Sequence, residues 1–109
     1  MKSLFATLLL LTSSLVVAEC TQPALPEIPD GLEADLATMV EGQQAVKAFM
    51  AESDTYLDCL YTAAEAAAET DTEEQVEARN QQHDSWVDEM ELVAEEFNQE
   101  LRSYKEKNQ

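Results

Sequence analysis

Two cysteines, Cys20 and Cys59, one histidine, His83, and 23 aspartates and glutamates are the side chains of this 109-residue chain whose types could do chemistry. His83 has no Glu three residues before it, since Asn80-Gln81-Gln82 stands there, so the Glu-x-x-His pair of carboxylate-bridged di-iron bundles is missing. Ligation of an ion by His83 with Asp54 or Asp58 would lack a second imidazole or thiolate, so no metal is predicted. Carboxylates recur at i,i+4 in Asp54/Asp58, Glu65/Glu69 and Glu91/Glu95. Acid and base roles need a pocket that separates two pKa values, and such a pocket is not expected between two helices. The only glycines are Gly31 and Gly42, so no Ser or Thr sits in a nucleophile elbow and no phosphate loop can form. Neither a catalytic residue nor a cofactor is predicted. What remains is the cysteine pair, and its use depends on the elements that carry it.

The first element is a leader. Lys2 precedes an apolar block from Leu4 to Val17 that ends in Val16-Val17-Ala18, which reads as a secretory signal peptide over residues 1–18, cut before Glu19. The block is shorter than the ~20 residues a membrane-spanning helix needs. The expected location is therefore periplasmic or secreted; the alternative is a lipid anchor through Cys20, although Glu19 stands where a lipoprotein signal wants a small residue. Next comes an extended arm, residues 19–31. Pro23, Pro26 and Pro29 recur every third residue, the repeat of a polyproline II helix, and Asp30-Gly31 turns the chain out of it.

Residues 32–109 carry two helical patterns. In the first, over about 32–70, Leu32, Leu36, Met39, Gln43, Val46, Met50, Ser53, Leu57, Leu60, Ala64 and Ala67 follow 4-3 steps, the seam of a coiled coil. In the second, over about 72–107, Val76, Asn80, His83, Val87, Met90, Ala94, Phe97, Leu101 and Tyr104 do the same, with Trp86 and Val93 widening the stripe. His83 is thus expected to face the interior, opposite Leu57. Trp86 is expected as hairpin core, or else as a contact to a partner. Between the patterns, Thr70-Asp71-Thr72-Glu73 offers a capping box with Glu73 reaching back, and acidic residues crowd the start of the second helix while Arg102, Lys105 and Lys107 lie at its end. The connection is short enough to force a reversal. The fold class expected is all-α: an antiparallel, coiled-coil-like two-helix hairpin with the Pro-rich arm packed on the first helix.

Export to an oxidising compartment makes Cys20 and Cys59 a predicted disulfide. The lengths agree: twelve arm residues from Cys20 to Leu32 span about 37 Å as polyproline II, and the helix from Leu32 to Cys59 spans about 40 Å. On that path Pro26 is expected near Gly42 and Ala45, and Pro23 near Phe49 and Glu52, with Tyr56 and Cys59 completing the flank. Gly42 would let the arm come close.

The net charge of −17 excludes phosphate-reading surfaces, because Lys and Arg clusters are absent. No nucleic acid is expected as a partner, and no integral membrane segment after the leader is removed. The pattern Cys20-x2-Pro23-x2-Pro26-x2-Pro29-Asp30-Gly31, followed by Val46-Lys47, Tyr56-Leu57-x-Cys59-Leu60 and Val93-Ala94-x2-Phe97-Asn98-x2-Leu101-x2-Tyr104-Lys105, resembles a group of small exported proteobacterial proteins of unknown function. The resemblance spans most of the chain after the leader and implies no activity, substrate or catalytic residue. Three function classes stay open: a structural or protein-interaction module of the cell envelope, binding another protein or a second copy of itself; an acidic protein binding divalent cations; and an accessory or inhibitor protein acting through the Pro arm.

Overall fold

The computed structural model describes residues 20–109; the expected leader and its cleavage point before Glu19 lie outside the described residues. Among the described residues there are two helices and no strand: α1, Leu36–Ala67, and α2, Glu73–Lys107. Their contacts run in opposite chain order. Tyr56 meets Trp86 and Phe49 meets the same ring, a Cβ on Gly42 would sit 3.4 Å from Phe97, and Lys107 reaches back to the Ala34 carbonyl at 3.2 Å.

α1 begins four residues later than the heptad pattern implies. Asp30 holds a separate turn: its carbonyl accepts from the Glu33 and Ala34 amides at 3.1 and 2.8 Å, and its carboxylate accepts from Leu32 N at 3.0 Å. The chain then starts again at Asp35, whose carboxylate accepts from the Thr38 amide at 2.8 Å and caps the helix. Leu32 lies outside α1 and Leu36 in its first turn, 61% and 64% exposed, so neither starts a buried seam.

The reversal occupies residues 68–72, and the cap of α2 is Thr72 with Gln75 rather than Thr70 with Glu73. Thr70 is already used by α1, since its hydroxyl donates to Ala67 O at 3.2 Å. The Asp71 carboxylate is held by Arg79 at 2.7 Å. Thr72 is left to accept from Gln75 N at 3.2 Å, while the Gln75 side chain accepts from Thr72 N at 2.8 Å, a complete capping box.

Both helices are rotated from the register that the 4-3 seams imply. The buried residues of α1 are Met39, Gly42, Phe49, Ser53 and Tyr56, and those of α2 are Trp86, Val93 and Phe97. Gln43 is exposed, and Val46, Met50, Leu57 and Leu60 are only half-buried. His83 is a plain correction: its side chain is 47% exposed beside Asp84 rather than facing the interior. A 4-3 seam assumes one neighbour for each helix. Here Cys20 and Ile28 also pack against the core cluster, so the most buried sector of each helix moves to the side where residues 20–31 lie.

Candidate functional site

The core is built where three segments meet. Phe49, Tyr56, Trp86 and Val93 form its buried cluster. The Trp86 ring lies 5.7 Å from Phe49, tilted at 58°, and 5.5 Å from Tyr56, edge-on at 72°, a geometry that aligns ring edges with ring faces. Trp86 is 5% exposed and belongs to the core of the hairpin. The Tyr56 hydroxyl accepts from Gln82 Nε2 at 3.0 Å. Ser53 is fully buried.

One side of the groove between the helices is bordered by residues 20–31. Cys20 and Cys59 form a disulfide with 5.6 Å between their Cα atoms. Pro23 shares a shallow hollow with Glu52 and Thr55, and Gln22 and Leu25 share another with Tyr56 and Trp86. Pro29, rather than Pro26, meets Gly42: its Cγ and Cδ lie 2.7 Å from where a Gly42 Cβ would stand. Counting from the disulfide explains the shift. Nine residues at the polyproline rise cover about 28 Å, against about 26 Å for the seventeen residues of helix between Gly42 and Cys59. Pro26 is half-buried. At the end of this run the Gly31 amide donates to the Glu100 carboxylate at 2.7 Å, and a side chain on Gly31 would strike the Glu100 backbone carbonyl.

The other side of the groove differs in character. Leu36, Met39, Val40 and Gln43 of α1 face Phe97, Leu101 and Tyr104 of α2 around a hollow of about 140 Å³. Leu36 and Val40 are 64% and 42% exposed, and Tyr61 further along α1 is 64% exposed. On α2, Val87, Met90, Ala94 and Leu101 are half-buried. This apolar stripe contains many of the residues that the sequence assigns to the seam.

The candidate chemistry does not assemble. The carboxylates of Asp54, Asp58, Glu65, Glu91 and Glu95 on the helices, and of Glu69 in the reversal, are all exposed. Among the described residues no group of three or more His, Cys, Asp or Glu side chains is placed to hold a metal ion. Asp35 and Tyr61 have displaced pKa values, and both are exposed. Hydrogen bonds from the Thr38 hydroxyl and amide hold the Asp35 carboxyl below 3.8, and a hydrogen bond to Glu65 raises the Tyr61 phenol above 10.0. Among the described residues no helix is long and apolar enough to cross a membrane. No family model matches the chain, and neither a curated protein nor a solved structure does. The open apolar stripe is the candidate site, and Leu36, Val40 and Tyr61 are its most exposed members. Their apolar character is readable in the sequence; their exposure is not.

Proposed function

We propose that this chain is a non-enzymatic, exported helical module of the cell envelope that works by binding protein through the open side of its hairpin. In this reading residues 20–31 act as a strap along the opposite side, fixed at one end by the disulfide and at the other by Gly31 on Glu100. The observation that carries the reading is the exposure of Leu36 and Val40 beside half-buried Leu101 and Tyr104. Contiguous apolar surface of this kind on a small chain marks an interaction site more often than an accident of composition. The disulfide supports an oxidising location, since such bonds persist outside the reducing cytosol.

Two helices alone bury little core, and chains of this size commonly gain stability from a staple or from association. A photo-crosslinking residue placed at Val40 in the exporting cell is expected to capture a discrete protein adduct. The same residue at Thr55, on the strap side, is expected to capture none. Equal labelling at both positions, or labelling at neither, would remove the open side as the interaction surface.

A further inference from the structure

We infer that the occupant of the open side is a second copy of this chain, stacked antiparallel on the first as a four-helix assembly. The inference rests on the interaction reading above and names its partner.

On α1 the stripe is Leu36, Val40, Gln43, Lys47, Met50, Asp54, Leu57 and Tyr61, a run of 4-3 steps. Reversed upon itself, it matches in content as well as spacing. Leu36 falls on the partner's Tyr61 and Val40 on the partner's Leu57, so apolar ends meet apolar ends. Gln43 falls on the partner's Asp54. Lys47 lies over the partner's Met50 with its ammonium within a helical turn of the partner's Asp54, which places opposite charges together.

The second helix gives an independent check. Gly42 faces Phe97 across the hairpin, so the midpoint of the α1 stripe, between Lys47 and Met50, lies level with Met90. A two-fold axis there also sets Val87 of α2 on the partner's Ala94. Both are half-buried in the single chain. One axis therefore serves both helices, as an isologous contact requires.

The area is sufficient. The stripe from Leu36 to Tyr61 is about 38 Å long, and a face two helices wide, about 20 Å, covers roughly 750 Å² on each copy. The total of about 1,500 Å² is the size of a stable specific interface. Opposing this is the net charge of −17 on each copy, which favours association at moderate rather than low salt.

Sedimentation equilibrium of the purified exported chain at near-physiological salt tests the inference, with twice the chain mass expected. Leu36→Glu combined with Val40→Glu, both at exposed positions, is expected to give a single-chain mass with an unchanged helical circular dichroism spectrum. Lys47→Glu and Asp54→Lys should each weaken dimerisation about tenfold or more by setting like charges opposite each other. An equimolar mixture of those two variants should regain the dimer, because each mismatch then becomes an opposite-charge pair. A wild-type chain that sediments as a monomer, or a mixture that fails to regain the dimer, overturns self-pairing. A monomer that still gives the Val40 crosslink to another protein overturns this inference alone, whereas loss of that crosslink in a chain that dimerises when pure would count against the cellular role.

Discussion

Gly42 sits in the second turn of α1, inside the helix, where glycine costs about 1 kcal/mol relative to alanine, yet the position is closed to a larger residue. A Cβ there would lie 2.7 Å from two ring atoms of Pro29. The ring cannot swing aside as a flexible side chain would, and its segment is tied at Cys59 and at Glu100. Gly42→Ala is therefore expected to lower stability by about 1 kcal/mol in urea unfolding, the overpacking penalty exceeding the gain in helix propensity. In a chain with both cysteines changed to serine the strap can yield, and there the same substitution should be neutral or stabilising. Equal effects in the two backgrounds would show that Pro29 does not restrict the site. Asp35 gives a pH-dependent counterpart at the start of α1. Its pKa lies below 3.8 in the folded chain because it accepts hydrogen bonds from Thr38, so its stabilisation is present above that value and is lost as the pH falls through the lowered one. Asp35→Asn keeps a capping side chain but cannot titrate. The Tm advantage of the wild type over Asp35→Asn should shrink between pH 6 and pH 3; a constant gap would mean that the carboxylate's charge is irrelevant to the cap.

The two helices are each specified by local signals, and the caps are where those signals compete. Thr70, Asp71 and Thr72 could each start α2, and the structure divides them: Thr70 closes α1, Asp71 holds Arg79, and Thr72 caps. Thr72→Ala is expected to cost about 1 kcal/mol, and Thr70→Ala less, since the Thr70 hydroxyl serves an exposed final turn. Thermal melts of the two variants distinguish this arrangement from a cap at Thr70, which would reverse their order. The two helices and the reversal near residue 70 were legible in the sequence because each depends on neighbours within one or two turns. Rotation about the helix axis was not legible. A seam such as Leu36, Gln43, Met50 and Leu57 shows that one side of α1 is apolar, but the deepest position is set by everything packed on the helix. With a second helix and residues 20–31 both present, Phe49 and Tyr56 lie deepest. His83, Val87 and Met90 then move outward on α2 as Trp86 and Val93 turn inward. The same rotation exposes Leu36 and Val40. Seam reasoning places Leu36 in the core and gives Val40 no role, so it cannot identify the two as the candidate site.

At the scale of the whole molecule, a hairpin of two helices has two grooved sides, and apolar residues line both. Residues 20–31 line one side and hold it by few fixed points, of which the covalent one is Cys20 to Cys59. That bond closes a loop over 39 positions of sequence separation. In the chain-entropy description a loop of this size contributes about 4 kcal/mol, a large part of the 5–15 kcal/mol typical of a folded domain. At roughly 4 °C or more of Tm per kcal/mol for a chain of this length, reduction should lower Tm by on the order of 15 °C. The Trp86 ring reports the same event locally. Gln22 and Leu25 lie beside Trp86 and Tyr56, so release of the strap should wet the indole and move its emission to longer wavelength before the helices melt. Protease should then cut within residues 20–31 while α1 and α2 stay resistant. A reduced protein that keeps its Tm, its Trp86 emission and its resistance would show that packing of Pro29 on Gly42 and the Gly31–Glu100 hydrogen bond suffice to hold the segment. The disulfide would then be a consequence of the groove's shape rather than a cause of it.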